Sequence, residues 1–334
     1  MLTRSLLCVT LAALSSPLLA DTVWLKNGDR LTGNITLLDG GKLLLETSYG
    51  GSIPLRWSQI STLESDRELL IKQDDAYGQI TKTIQAGEPG YVTLVNGNQP
   101  VTVELSSISQ IIQPKPLIED FTWTGNVDVA FDYKRAENDS EDHDVALKTS
   151  ARHGLWRHNA QAKYTRDSRN EVETADNWEA EYALDRFLTE QWFWQGRVDY
   201  KRDNIEEISR QRTLGTGPGY QFWDNELGAF SLASLFNRRD YEFADGSSDS
   251  FYAATIKWDY NRFFAGKTFE LFTHGEIGKP LASVAEYSLD AQAGLRYKVT
   301  DWASLNIRAE KDIVSGSDQD LDETRYLMGF GVGW

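Results

Sequence analysis

The last residues of the chain carry its clearest alternation of apolar and small or polar positions. Counting back from the end, every second residue is large and apolar: Trp334, Val332, Phe330, Met328 and Tyr326. Glycine occupies most of the positions between them. A period of two is typical of a β-strand with one apolar face. We interpret this strand as the last one of an outer-membrane barrel, and we predict that these five residues form the carboxyl-terminal signal read by the barrel-assembly machinery.

The same alternation recurs along residues 120–334, beginning with the run from Phe121 to Tyr133. Twelve such runs can be counted, each near the ~9–11 residues that a strand needs to cross a bilayer. The least regular run is Arg212–Trp223, which contains a Gly-Thr-Gly-Pro-Gly stretch. The pattern predicts an all-β fold with an antiparallel transmembrane β-barrel of about 12 strands. Short connections are expected in the periplasm, and longer acidic loops, such as Asp203–Ser209 and Glu242–Ser250, outside.

The tryptophans support this strand count. Nine of the eleven lie in the barrel region. Tryptophan favours the membrane interface, where its ring is apolar and its N–H meets water. An aromatic girdle is therefore predicted at the periplasmic strand ends, formed together with the terminal Trp334 by Trp123, Trp156, Trp192, Trp194, Trp223 and Trp302.

Residues 21–112 show shorter strands and tighter turns. Asn-Gly pairs at Asn27 and Asn96 are strong hairpin signals. The segment Trp57–Ser61 is similar to Leu105–Ser109, which indicates an internal repeat. The sequence predicts a small SH3-like periplasmic β module, as a tandem repeat. Two interpretations stay open: a stable β domain without a partner, or a docking surface for one.

The segments flanking this module have recognisable roles. Residues 1–20 are predicted to be a signal peptide, with Arg4 before an apolar run and Ala20 at the expected cleavage site. The only cysteine, Cys8, lies in that segment, so neither disulfides nor thiolate sites are expected in the mature protein. Residues 113–119 contain two prolines and are predicted to be an extended linker. No later run reaches the ~18 apolar residues of a membrane helix.

The formal net charge of -16 excludes nucleic acid as a natural partner, because phosphates would be repelled. The expected partners are outer-membrane lipid and lipopolysaccharide, the barrel-assembly machinery, and a periplasmic partner bound through residues 21–112. The acidic segment Asp318–Glu323 begins like a calcium loop but lacks its glycine and its closing glutamate. A solvated loop is therefore favoured over weak divalent binding shared with lipopolysaccharide.

Three segments resemble the salt-induced outer-membrane protein family. They are the stretch Leu25–Gly33, the motif Trp57–Ile60, and Gln191–Trp194 leading to Tyr200–Asp203. The resemblance covers nearly the whole mature chain. It implies location in the outer membrane of a Gram-negative bacterium and a link to osmotic stress. It implies no chemistry and no catalytic residues.

The polar faces of the predicted barrel strands carry charges of both signs. The candidate lumen charges are Asp128, Asp132, Lys148, Arg197, Asp199, Lys257, Asp259, Arg296, Lys298, Arg308 and Glu310. Two interpretations are open. These charges line a pore or solute pathway, or they form cross-strand ion pairs that close the lumen.

A lipid hydrolase is a less favoured alternative, because it needs a serine beside a histidine. Only His274 lies well inside a predicted strand, on the same face as Glu270 and Glu276, and no Gly-x-Ser-x-Gly motif is present. No catalytic, cofactor-binding or metal-binding residue is predicted. The leading hypothesis is a non-enzymatic barrel in envelope homeostasis that acts as a narrow solute channel. The main alternative makes the barrel an anchor for a periplasmic docking module.

Overall fold

The computed structural model describes residues 20–73, 80–96, 99–115, 119–134, 140–281, 287–315 and 321–334. Within these ranges the fold is all-β, with two short 3₁₀ turns and no α-helix. No helix in the described ranges is long and apolar enough to span a membrane. The strands form two bodies, a nine-stranded sheet from the amino-terminal region and a closed barrel from the rest.

The amino-terminal module is a small barrel-like sheet built twice on one plan. In the first half, strands β1 to β4 pair in sequence and β5 pairs back with β1. In the second half, strands β5 to β8 pair in sequence and β9 pairs back with β5. The long strand β5 therefore serves both halves. The segments Trp57–Gln59 and Leu105–Ser107 are the 3₁₀ turns at equivalent positions in the two halves, so the internal repeat is visible in the topology. The strands are β1 Asp21–Leu25, β2 Arg30–Asp39, β3 Lys42–Thr47, β4 Gly51–Arg56, β5 Ile60–Gln73, β6 Ile80–Ala86, β7 Tyr91–Asn96, β8 Gln99–Glu104 and β9 Ile108–Ile112.

The interior of this module is apolar. A continuous cluster of buried aliphatic side chains, including Ile35, Leu43, Leu63 and Ile84, fills it. The buried carboxylate of Asp21 accepts a 2.6 Å hydrogen bond from the Ile35 N–H and pairs with Arg67. Burial of the aliphatic side chains is the main stabilising term here.

The barrel contains twelve antiparallel strands, which confirms the predicted count. It closes where β10 pairs with β21, with Val127 opposite Val332 and Val129 opposite Phe330. The strands are β10 Glu119–Lys134, β11 Ser140–Gly154, β12 Trp156–Arg169, β13 Val172–Phe187, β14 Trp192–Asp203, β15 Ile208–Asn225, β16 Gly228–Phe243, β17 Ser248–Phe264, β18 Phe269–Pro280, β19 Tyr287–Lys298, β20 Ala303–Ser315 and β21 Leu321–Gly333.

We call the end of the barrel that holds Glu119 and Trp334 the terminal end, and the opposite end the loop end. At the loop end the strands continue further than the sequence predicts. The expected loops Asp203–Ser209 and Glu242–Ser250 shrink to tips at 204–207 and 244–247. The reason is that cross-strand pairing persists, reinforced by contacts such as that of Arg210 with Glu242 at 2.9 Å.

The run that looked least regular, Arg212–Trp223, lies in the longest strand, β15, of 18 residues. Its glycines do not break the strand; they make room in the barrel interior. A Cβ atom at Gly217 would lie 1.9 Å from the Ser234 carbonyl oxygen, and one at Gly219 would lie 2.2 Å from the Phe193 ring. Close packing against the lumen side therefore explains the small residues in this strand.

Candidate functional site

The barrel interior is the polar part of the molecule. Of the predicted lumen charges, ten have described side chains that lie on the inward-facing positions of their strands: Asp128, Lys148, Arg197, Asp199, Lys257, Asp259, Arg296, Lys298, Arg308 and Glu310. The side chain of Asp132 lies outside the described residues. The lumen is therefore lined by both signs of charge, and the geometry of their pairing determines how open it is.

One ion pair crosses the middle of the lumen. Lys148 lies on β11 and Asp259 on β17, half-way round a ring of twelve strands, and the Lys148 Nζ is 2.6 Å from the Asp259 Oδ2. These side chains stay 37% and 43% exposed. Open space therefore remains beside the pair at the centre of the barrel, although a side-chain bridge spans it.

A second set of ion pairs lies against strands β13 to β18. Arg197 pairs with Glu276 and lies 3.2 Å from Asp199, and Lys257 pairs with Glu181. Each of the Arg197–Glu276 and Lys257–Glu181 pairs joins strands four apart in the ring. These bridges draw the walls of this sector together and narrow the lumen.

A third set of ion pairs lies in the sector of the lumen that runs from β18 through the β21–β10 junction to β12. Arg308 pairs with Asp144 across the seam, and these side chains are only 2% and 1% exposed. Arg296 binds two carboxylates, Asp128 at 2.9 Å and Glu270 at 2.6 Å. Buried charges need such partners, since an isolated buried ion is costly. This side of the lumen is therefore filled.

The terminal end of the lumen holds an aromatic cluster. Phe187 and Phe193 are buried with ring centroids 5.5 Å apart. The Arg157 guanidinium lies 5.1 Å from each ring and donates a 2.7 Å hydrogen bond to Asp185. Arg152 lies 4.3 Å above the Phe187 ring. Cations stacked on aromatic rings form a compact constriction here.

Several charges of this network were missed by the sequence analysis, among them Asp144, Glu181 and Glu276. The signal was present, because each lies at an inward position, on the polar face of a predicted strand. The large number of acidic residues obscured this signal. Many of them lie in the connections and on the outward faces of strand ends, so only the alternation within each strand could distinguish those that face the lumen.

The amino-terminal module contacts the terminal end of the barrel. Leu227, in the β15–β16 turn, is buried against Leu37 and Ile112 of the module. The Lys42 Nζ lies 3.5 Å from the Ala265 carbonyl oxygen in the β17–β18 turn. The module therefore lies on the rim formed by two neighbouring turns.

A polar connection continues from this contact into the lumen. Lys115, which follows β9, pairs with Asp224 at 2.7 Å. Asp224 also accepts a 3.2 Å hydrogen bond from Arg152, the residue stacked over the Phe187 ring. The segment after the module and the aromatic constriction thus share one carboxylate.

Much of the outer surface of the barrel is apolar. The side chains proposed as the terminal signal, Tyr326, Met328, Phe330, Val332 and Trp334, all point outward and are exposed. The proposed girdle residues Trp123, Trp192, Trp194, Trp223 and Trp302 are exposed near the terminal end, and Trp156, partly buried, lies there beneath the Arg186 guanidinium. The roles predicted for these residues stay predictions.

His274 lies on the lumen side of β18, in register with Asp259 and beside the Phe272 ring. None of its contacts in the described ranges is a hydrogen bond to a serine. Within those ranges no group of three or more His, Cys, Asp or Glu side chains is arranged to hold a metal ion. Residues 318–320 of the acidic segment lie outside the described residues.

Comparison with known proteins gives a family and a fold. A family model described as "Protein of unknown function, DUF481" matches residues 127–334. No curated protein sequence matches the chain. The structure is similar to the NanC porin, at 10% identity and a TM-score of 0.40, covering 63% of this chain and 99% of that one.

Two further porins have comparable similarity. The KdgM porin matches at 13% identity with a TM-score of 0.36, covering 63% of this chain and 98% of that one. An anion-selective porin from Comamonas acidovorans matches at 7% identity with a TM-score of 0.28, covering 64% and 98%. These TM-scores are low, so the function proposed next rests on the residues of the chain itself.

Proposed function

We propose that this chain, which belongs to the family described as protein of unknown function DUF481, is an integral outer-membrane barrel with a narrow, charge-lined pathway for ions and small polar solutes. In this proposal the terminal end faces the periplasm, and the amino-terminal module is held on the periplasmic rim. The observation that carries the proposal is the Lys148–Asp259 pair, which bridges the lumen while both side chains keep more than a third of their surface exposed.

The outer surface supports membrane insertion. Apolar side chains such as Val198, Leu214, Phe236 and Ile307 are half or more exposed around the barrel wall. A water-soluble protein rarely exposes so continuous an apolar surface. In a bilayer the same surface is buried in lipid, and a closed barrel leaves no unpaired strand edge in the hydrocarbon.

The interior supports a narrow pathway. Barrels of this size lie between small ones filled by side chains and large ones with an open channel. Bridges such as Arg197–Glu276 and Arg308–Asp144 fill two sectors, and the solvated space lies around Lys148 and Asp259. Because the lining groups carry both signs, the pathway is expected to discriminate mainly by size.

Planar-bilayer conductance of the full chain tests this function. We expect small, steady unitary currents, and a larger conductance when Lys148→Ser is combined with Asp259→Ser, because the central bridge is then removed. Arg166→Gln is the control, since Arg166 lies outside the lumen and pairs with Glu173 at the strand tips. Absence of current from both the wild type and the double variant, in correctly inserted barrels, would show that the lumen is closed.

A second candidate function makes the module a docking surface. Strands β4 and β8 are the unpaired ends of its sheet, and a free edge can accept a strand from a partner. Sedimentation of the full chain with purified peptidoglycan, compared with the variant Thr102→Pro on β8, tests docking to that polymer. Equal sedimentation of both forms, or of neither, would exclude this edge as the contact.

A role in osmotic stress follows from the family resemblance and stays a proposal. It predicts slower growth of a deletion strain in high salt, restored by the wild-type chain. The lipid-hydrolase alternative predicts phospholipid turnover that His274→Ala abolishes. Unchanged turnover in an inserted His274→Ala barrel would dismiss it.

A further inference from the structure

Four arginines lie together on the outer wall of the barrel at the loop end. Arg202 on β14 is directly opposite Arg210 on β15. Arg212 follows two positions along β15, on the same face, and Arg238 on β16 lies diagonally across from it. Cross-strand neighbours on one face are about 5 Å apart and diagonal ones about 7–8 Å apart. The four guanidinium groups therefore form one patch, which we call the arginine patch.

Two of the four arginines donate hydrogen bonds to carboxylates on the same wall. Glu242 accepts a 2.9 Å hydrogen bond from Arg210, and Asp240 accepts a 3.1 Å bond from Arg238. In the described ranges Arg202 donates a hydrogen bond to an amide oxygen, that of Asn204. Arg212 lies directly opposite Asp240 on β16, so the Asp240 carboxylate faces both Arg212 and Arg238. Because like charges directly opposite each other destabilise a strand pair, an external anion would stabilise this surface.

A cavity opens directly beyond the arginine patch. It has a volume of about 430 Å³ and lies between the tips of the β14–β15 and β16–β17 hairpins. Tyr200, Arg202, Arg210 and Phe243 line it together with Glu242 and Glu206. Asp203 also borders it, but its carboxylate is turned to the N–H groups of its own loop. Aromatic and polar side chains of this kind suit a saccharide.

On the other side of the arginine patch, toward the middle of the barrel, the wall is apolar. Val198, Leu214 and Phe236 are all more than half exposed there. Along one line on the surface the chain therefore presents aliphatic contacts, then guanidinium groups, then a polar cavity. An amphiphile with acyl chains, phosphates and sugars has the same order of groups.

We propose that this surface binds the phosphorylated sugar headgroup of an outer-leaflet glycolipid of the lipopolysaccharide class. The phosphates contact the arginine patch, since the planar guanidinium fork matches phosphate oxygens bidentately. The sugar occupies the cavity, and the acyl chains cover Val198, Leu214 and Phe236. The inference rests on the proposed membrane location, because that location places the loop end in the outer leaflet.

The experiment measures binding of purified phosphorylated lipid A to the full chain in detergent by native mass spectrometry. The variant combines Arg202→Gln with Arg212→Gln, the two arginines that donate no hydrogen bond to a carboxylate in the described ranges. We expect binding to weaken about tenfold or more, as for loss of charge-assisted hydrogen bonds. Lys279→Gln is the matched control, because it removes an exposed positive charge at the same end on β18, and it should leave binding within about twofold of the wild type.

Two further lipids test whether the surface recognises both the phosphates and the sugar. Dephosphorylated lipid A should bind as weakly to the wild type as phosphorylated lipid A binds to the double variant. Phosphatidylglycerol, which is anionic but carries no sugar, should bind the wild type more weakly than phosphorylated lipid A does. Equal binding of all three lipids, or equal loss in the Lys279→Gln control, would overturn the inference. A wild-type chain that fails to insert into membranes would overturn the proposed function itself, whereas an inserted chain with no headgroup preference overturns only this inference.

Discussion

The module and the barrel are built from the same kind of alternating strand with opposite polarity. In the module the inward positions are aliphatic, with Ile35, Leu43 and Leu63 fully buried. In the barrel the inward positions hold pairs such as Arg308–Asp144, and residues like Phe330 point outward and are 71% exposed. One chain thus contains a conventional apolar core in the module and, in the barrel, an inverted core whose interior is polar and whose outer face is apolar.

The difference shows that alternation separates two faces but does not assign them to inside and outside. The surroundings make that assignment. In the proposed location, water around the module drives aliphatic side chains inward, whereas lipid around the barrel would accept them outward and leave the polar face to the lumen. The following changes test this inversion, in order of decreasing expected effect.

The largest effect is expected from breaking the most buried ion pair of the barrel. Arg308→Met leaves Asp144 buried with only Lys163, 3.8 Å away, as a cationic neighbour. Removing one partner of a buried pair costs about 3–5 kcal/mol. Urea unfolding of the full chain in lipid vesicles, followed by tryptophan fluorescence, measures the loss.

The double variant Arg308→Met with Asp144→Leu checks the cause of that loss. Because a buried pair replaced by apolar groups is often neutral or stabilising, most of the stability should return. If the double variant is less stable than Arg308→Met, the loss does not come from leaving the Asp144 carboxylate buried without its arginine. The polar interior of the barrel would then need another explanation.

A smaller effect is expected from placing one charge in two different surroundings. Val198 on the barrel and Val101 on the module are 53% and 49% exposed on strands of the same alternation. Val198→Lys should cost about 2–4 kcal/mol, since its position is near the middle of the lipid-facing wall. Val101→Lys should change stability by less than about 0.5 kcal/mol, because it meets water.

The same unfolding measurement serves both variants, with limited proteolysis to report on the module. Similar small effects for the two lysines would mean that the barrel wall faces water. That result would remove the main support for membrane insertion.

The smallest effect concerns packing in the lumen. Gly219→Ala places a Cβ atom 2.2 Å from the Phe193 ring, which is itself buried against Phe187. Overpacking of this kind costs about 1–3 kcal/mol. The control is Gly196→Ala on the neighbouring strand, where a Cβ atom would meet nothing within 4 Å. If both variants unfold at the same urea concentration, the aromatic constriction is looser than the contacts indicate.

The strand count and the parity of the barrel could be predicted because each strand carries its own alternation of apolar and polar residues. The outward orientation of Val127, Phe330 and Trp334 follows from the alternation within their own strands and needs no information on neighbouring strands. The pairing of lumen charges could not be predicted. Lys148 and Asp259 are 111 residues apart, and only closure of the ring brings β11 opposite β17.

The glycines of β15 gave a misleading signal for a related reason. Gly215, Gly217 and Gly219 look like strand breakers in sequence, but they fit around Asn237, Ser234 and Phe193. These partners lie on neighbouring strands, so the requirement for a small residue exists only after the register is set.

By itself, the sequence determined two all-β regions, twelve barrel strands, and the apolar and polar faces of each strand. These features depend on local periodicity and composition, which each segment carries independently. Only the tertiary structure decided that the lumen is bridged at its centre, that the module lies on the rim through Leu227, and that four arginines share one patch. Each of these depends on which strands become neighbours, and that is fixed by closure of the barrel as a whole.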